Sequence, residues 1–283
     1  CNPAFSSTWV KDIDRFGPYN DLVSDGRNHF THTHRASQLY KFGEQNPYVD
    51  AFFRWWESDL HKTLQELRIT GGEPLMSGET WRLLDWFREH KGQSKTLLAI
   101  NSNLGPEVDL DRLLDSIEGL EVDIYTSQES VGAQAEYIRD GLDYDAWLVN
   151  VQKLLDSDDI RTVHCMATIN ALCLDSLTSF LECVTNWKRE YGKDAINFSL
   201  NILRFPSFQS PLVLPDALRR YYGEALARWL ESANLALLHE HERNHTQRLI
   251  DYLDVVKTPH REAFELPKLR SDFRHFYQQY DQR

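Results

Sequence analysis

The feature that most constrains this chain is a repeated switch of hydrophobic period. Short strand-like runs, Leu67-Arg68-Ile69, Thr96 to Ile100, Leu120 to Tyr125, Ile160 to Ile169 and Ala195 to Leu203, alternate with segments whose apolar residues recur at helical spacing. The first helical segment carries Val49, Phe52, Phe53, Trp56, Leu60 and Leu64; others run near Trp81 to Phe87, Leu110 to Ile117, Tyr144 to Leu155 and Leu174 to Glu190. Strands separated by helices of this length predict β/α units and a parallel sheet, here with five strands. Ser77, with Glu79 in the first turn, is predicted to N-cap the second helix, and Lys91-Gly92 to stop it. From Asp216 onward the pattern is mostly helical, so residues 1–215 are predicted to form the β/α unit and residues 216–283 a helical extension packed on it. Residues 1–47 read as loop with short helical pieces.

A chain of 283 residues with 41% hydrophobic content can bury one α/β core of barrel size. Its 43 acidic against 31 basic residues leave a net charge of -12, which disfavours nucleic acid and anionic membrane surfaces as partners. No apolar run approaches the roughly 20 residues that cross a bilayer. Four widely spaced cysteines, Cys1, Cys165, Cys173 and Cys183, do not make a disulfide framework, so a reducing, cytoplasmic setting is expected.

Parallel sheets of this kind bind ligands at the carboxyl ends of their strands. The polar or glycine-rich segments at those ends are Thr70-Gly71-Gly72-Glu73-Pro74, Asn101-Ser102-Asn103, Thr126-Ser127-Gln128-Glu129 and Asn201. Adjacent glycines let backbone approach a ligand, and a carboxylate beside them suits a cation.

Ile69-Thr70-Gly71-Gly72-Glu73-Pro74-Leu75 resembles the motif that takes the S-adenosylmethionine amino group in radical S-adenosylmethionine enzymes. Cys1-Asn2-Pro3-Ala4-Phe5-Ser6-Ser7 is similar to the stretch after the third cysteine of that superfamily's C-x3-C-x2-C motif, in members related to the twitch and SPASM groups. Glu136-Tyr137-Ile138-Arg139-Asp140-Gly141 and the segment from Asp272-Phe273 to Tyr280-Asp281 resemble the same group. The resemblance implies a partial (β/α)6 TIM-type barrel whose first strand lies upstream of Cys1, in a chain cut at both ends. It implies a 4Fe-4S cluster with Cys1 as one ligand, since three thiolates leave one iron open for S-adenosylmethionine. It further implies cofactor contacts from Thr70, Gly71, Gly72, Glu73 and Asn101, with Ser127 at the ribose or methionine part and Arg139 at the carboxylate. The implied activity is formation of a 5′-deoxyadenosyl radical that abstracts hydrogen from a small-molecule or peptide substrate, with an electron-donor protein as partner. With one of three cluster cysteines present, this stretch alone is expected to be inactive.

The sequence departs from the family where a Ser-x-Asp-Gly turn is common: it has Thr126-Ser127-Gln128-Glu129-Ser130, so the acidic function there is displaced or lost. Cys165, Cys173 and Cys183 offer no C-x2-C pair for an auxiliary cluster and read as small buried hydrophobes. A noncatalytic scaffold on a decayed barrel is the competing reading. His241-Glu242-Arg243-Asn244-His245 matches the zinc-protease pattern H-E-x-x-H, but its polar neighbours predict a solvated helix face, with His239, His241 and His245 facing water. His29-Phe30-Thr31-His32-Thr33-His34 reads as a polar loop, and Phe52, Phe53, Trp55 and Trp56 as core or subunit packing.

Overall fold

The computed structural model describes residues 7–22, 45–233, 235–258 and 265–283. Cys1 and the His29 to His34 stretch lie outside them. Five parallel strands, β1 (Glu66–Ile69), β2 (Leu97–Asn101), β3 (Val122–Thr126), β4 (Ile160–Ile169) and β5 (Ile196–Ile202), pair in chain order. Between them run α4 (Gly78–Glu89), α5 (Leu110–Ile117), the short α6 (Gly132–Ile138), α7 (Tyr144–Leu155) and α8 (Leu174–Tyr191). Ahead of β1 lie α1 (Ser7–Phe16) and α2 (Pro47–Trp55), which continues through a wider turn, Trp56–Leu60, into α3 (His61–Thr63).

Sequential strand order has a physical consequence. Parallel crossovers are right-handed, and stepping always in one direction puts every connecting helix on the same face of the sheet. The core confirms this by parity: Leu98, Ile100, Val122, Ile124, Val163, Cys165, Ala167, Ile169, Ile196, Phe198 and Leu200 all pack into one apolar cluster with the helices. Alternate residues, Arg68, Asn101, Asp123, Tyr125, His164, Met166, Thr168, Asn197, Ser199 and Asn201, occupy the other face. Parallel sheets covered on both faces read as continuous apolar runs, so this strict alternation marks a sheet with one polar face.

Local signals explain the element ends. Asn46 caps α2 by accepting from the Tyr48 N–H at 3.0 Å, and Asp109 and Asp143 cap α5 and α7 through Arg112 and Ala146. Ser77 does precede α4, but its hydroxyl makes no cap bond. Within the aromatic set near α2, Phe53 and Trp56 are buried, whereas Trp55 is 57% exposed and is not core.

After β5 the chain forms α9 (Asp216–Ser232), α10 (Glu240–Leu253) and α11 (Leu266–Tyr280). Helix α10 packs on β5, and α11 joins Tyr19, Leu22, Ala171, Phe208 and Val213 in a second apolar cluster.

Candidate functional site

The sequence-named residues gather at the carboxyl ends of β1, β2 and β3. Gly71 has φ of +145°, a conformation that glycine tolerates and side chains rarely adopt, and a Cβ at Gly71 or Gly72 would meet nothing within 4 Å. The loop therefore faces open space, with Thr70 exposed beside it. Glu73 is anchored: one carboxylate oxygen accepts from the Leu75 N–H at 3.1 Å, capping the Pro74–Met76 turn, and the other accepts from the Asn103 N–H at 2.8 Å. Burial pushes its carboxyl pKa up, and the bonds from Asn103, Leu75 and Ser102 work in the opposite direction. Glu73 thus ties the β1 loop to the β2 loop.

Arg139, just past α6, donates to Glu129, a carboxylate 2% exposed that also accepts from the Thr168 N–H at 3.3 Å. This contact joins the loop after β3, which holds half-buried Ser127, to the end of β4. Glu129, two residues after Ser127, is thus a carboxylate held inside the fold by Arg139 and the Thr168 N–H. Gln128 is fully buried and donates to the Ser130 carbonyl at 2.8 Å. Three buried polar atoms in these loops and strand ends have no hydrogen-bond partner: Asn101 Oδ1, Gln128 Oε1 and Arg139 Nε. Buried polar groups are nearly always satisfied, so such a concentration needs an explanation. Sequence reasoning singled out the segment that holds Gln128 and Glu129 but gave neither of the two a contact.

A second polar network, also missed, lies on the amino-terminal half of the polar face. The Arg161 guanidinium pairs with both oxygens of Asp123, whose side chain is 3% exposed. A register shift between β3 and β4 pairs Val122 with Ile160 and Asp123 with Thr162, leaving Arg161 unmatched across β3. His164 lies 3.7 Å from Asp123, meets Asn197 Oδ1 at 2.7 Å and stacks on Tyr125 at 4.2 Å. Arg68 also lies over the Tyr125 ring, donating to its hydroxyl and to Glu66, both at 3.0 Å. Between Arg68 and Asp123 in the register stands Ala99, small enough to let Arg68 reach across β2.

Burial raises the Asp123 pKa, but the hydrogen bonds and charges of His164 and Arg161 outweigh it and hold the carboxyl below its ordinary value. A depressed carboxyl stabilises the fold above its unfolded pKa, about 4, and that contribution is lost as pH falls through the folded value. Urea midpoints are accordingly expected to fall more steeply below about pH 4 in the wild type than in Asp123→Asn. Equal slopes would show that the pair contributes nothing to acid stability.

The zinc-protease pattern has a different role from a metal site, and its expected solvated face is a correction. The Val163 N–H donates to Ala195 and the Leu203 N–H to Ile169, so Phe198 and Leu200 turn their backbone groups away from β4 toward the free edge. Helix α10 satisfies that edge with side chains. Glu242 accepts from the Phe198 N–H at 3.0 Å, His245 Nδ1 from the Leu200 N–H at 3.2 Å, and Arg248 donates to the Leu200 carbonyl at 2.6 Å. Glu242 is fully buried, 3.1 Å from the equally buried Lys188 Nζ, and also accepts from the His239 N–H at 2.7 Å. Only His241 of the three histidines is exposed; His239 and His245 are half-buried. Burial, then Arg248 and His241, push the His245 pKa down, which keeps its acceptor nitrogen available. Unsatisfied sheet edges invite aggregation, and this helix covers one. Among the described residues, no group of three or more His, Cys, Asp or Glu side chains is arranged to hold a metal.

Cys165 and Cys173 are wholly buried, and burial pushes both thiols far up; Cys183 is half-buried, pushed up to about 11. All three pack with the apolar core and fit the small-hydrophobe reading.

No family model matches the chain, and no curated protein matches it. A solved structure described as "Native anSMEcpe with bound AdoMet" is similar over 78% of this chain at 12% identity and a TM-score of 0.45, and the chain spans 60% of that structure's length.

Proposed function

We propose that this chain is the S-adenosylmethionine-binding core of a radical S-adenosylmethionine enzyme, its open sheet being the larger part of a (β/α)6 barrel in residues 1–215, with residues 216–283 a helical extension. The observation that carries the reading is that the Gly71-Gly72-Glu73 loop, Asn101 with its unmet Oδ1, and the Ser127 to Glu129 loop, which Arg139 holds, follow or end adjacent parallel strands at their carboxyl ends. A carboxylate has about four acceptor positions, so Glu73, with its two backbone bonds, keeps capacity for an ammonium. Arg139 keeps an unmet Nε for a carboxylate while Glu129 fixes its orientation. Ser127 is assigned to the ribose or methionine part, and Thr70 and Asn101 to the walls of the same cleft.

Bound beside a reduced 4Fe-4S cluster, the cofactor supplies a 5′-deoxyadenosyl radical; the protein contributes orientation and exclusion of water. Cys1, the assigned cluster ligand, and the electron-donor partner rest on the sequence resemblance, and a cytoplasmic location on the four widely spaced cysteines. No helix among the described residues is long and apolar enough to cross a membrane.

Equilibrium dialysis with labelled S-adenosylmethionine tests the assignment. Glu73→Ala is expected to weaken binding by about 1–3 kcal/mol, the cost of a charge-assisted contact. Because alanine also releases the loop clamp, Glu73→Gln is the control: it keeps an acceptor for the Leu75 or Asn103 N–H while removing the charge. Wild-type affinity in both variants would overturn the role of Glu73, and no binding by the wild type would overturn the reading.

A further inference from the structure

The bonds from α10 to the β5 edge differ in their chemistry. The Phe198 N–H donates to the Glu242 carboxylate, which is paired with Lys188. Leu200 is held twice: its N–H donates to His245 Nδ1 at 3.2 Å, and its carbonyl accepts from the Arg248 guanidinium at 2.6 Å. An imidazole nitrogen accepts only while it carries no proton, so this bond fixes His245 as the neutral tautomer protonated on Nε2. A proton added at Nδ1 turns the acceptor into a donor that faces the backbone donor it was holding. Leu200 is fully buried, so water does not replace the lost acceptor while the helix stays in place.

The surroundings sharpen the conflict. Arg248 lies about one turn along α10, and His241 about one turn back, its ring 6.0 Å from that of His245. Glu242, the buried carboxylate of the same helix, is committed to Lys188 and to the Phe198 and His239 N–H groups. Strand β5 carries no ionisable side chain, and α9, which also packs on α10, adds no charge that acts on His245. An imidazolium at this place therefore meets Arg248 without a carboxylate to offset it.

We propose that His245 makes the contact between α10 and the β5 edge a pH-sensitive latch: neutral, it closes the edge at Leu200, and protonated, it releases the Leu200 N–H and, by repelling Arg248, the carbonyl beside it. The inference is independent of the cofactor reading. The N–H and carbonyl of one residue on a free edge are the pair that an added strand uses, so the latch decides whether this part of the edge is available. Phe198 is outside the switch, because its acceptor is a carboxylate already matched by Lys188. The size of the effect follows from linkage. Open, the imidazole has the ordinary histidine pKa of about 6.5; closed, burial, Arg248 and His241 hold it lower. The open form binds the proton more tightly, so opening is flat with pH above about 6.5, rises by up to about tenfold per pH unit below it, and levels at the lowered closed-state value.

Amide hydrogen exchange of the full chain, read by NMR from about pH 7.5 to about pH 5 and corrected for intrinsic exchange rates, tests the latch. Protection of the Leu200 N–H is expected to fall by up to about tenfold per pH unit below about pH 6.5, while Phe198 keeps its protection. His245→Asn puts an amide oxygen in reach of the same N–H and does not titrate, so its Leu200 protection is expected to stay flat. Leu200 protection that ignores pH in the wild type, or an equal fall in His245→Asn, overturns the proposal. A parallel loss at Phe198 assigns the change to the helix as a whole and overturns it as well. Imidazole nitrogen shifts give a readout that needs no variant: His245 at neutral pH is expected to show a bare Nδ1 and a protonated Nε2, and a protonated Nδ1 there contradicts the latch.

Discussion

Replacing Glu242 with alanine is expected to destabilise the protein by about 3–5 kcal/mol, a large part of the 5–15 kcal/mol typical of a folded domain. The carboxylate meets three donors at once: the Lys188 ammonium, the Phe198 N–H on the edge of β5 and the His239 N–H at the start of α10. With both ionic side chains fully buried, its removal strands a cation out of water and leaves two N–H groups without acceptors. Burial already pushes the Lys188 pKa down, the direction expected of a cation that depends on its one carboxylate. The double variant Glu242→Leu with Lys188→Met removes the stranded charge and is expected to recover part of the loss, because a buried pair is worth less than the cost of halving it. Urea unfolding of the two single variants and the double variant reads this directly. A cost below about 1 kcal/mol for Glu242→Ala, typical of an exposed pair, would contradict its burial.

Much of the fold is legible in the sequence, and the reasons differ by element. The bounds of β4 and α7 follow from long, unambiguous periodicity, Ile160 to Ile169 at period two and Tyr144 to Leu155 at helical spacing. Helix α6, Gly132–Ile138, is only seven residues long, opens without a side-chain cap and has one buried residue, so it carries little local signal. Helix α1 buries Ile13 among residues whose composition suggests loop, and Phe276, which its Trp9 meets, is distant in sequence. The site is half legible. Glu73 could be placed by its glycines, but its bond to the Asn103 N–H depends on β1 and β2 being neighbours. Glu129 reads as a loop acid until Arg139 and the Thr168 N–H are seen around it. The H-E-x-x-H pattern misleads for the same reason: Lys188 and the β5 edge lie far away in sequence, and neither polar neighbours nor spacing reports them. The alternation along β4 and β5 carries a further signal, a sheet with one polar face, that strand assignment alone does not use.

Trp147 links that core to the candidate site, and its replacement by alanine is expected to cost about 3–5 kcal/mol. The indole is fully buried, stacked with Tyr144 at 5.8 Å and tilted against Trp187 at 6.0 Å. Its Nε1–H donates to Thr126 Oγ1 at 3.1 Å, and Thr126 is the last residue of β3, directly before Ser127. Helix α7 therefore fixes the strand end from which Ser127, Gln128 and Glu129 depart. Packing and hydrogen bond can be separated. Trp147→Phe keeps most of the buried surface but removes the donor, so it is expected to lose about 1–2 kcal/mol. The Thr126 hydroxyl, no longer held from the helix side, is expected to loosen the loop, and S-adenosylmethionine binding to weaken more than the small stability loss implies. Urea unfolding and cofactor dialysis on both variants distinguish the contributions: equal stability of the two variants would assign the whole effect to the hydrogen bond. Unchanged cofactor binding in Trp147→Phe would show that the Ser127 to Glu129 loop is held without α7.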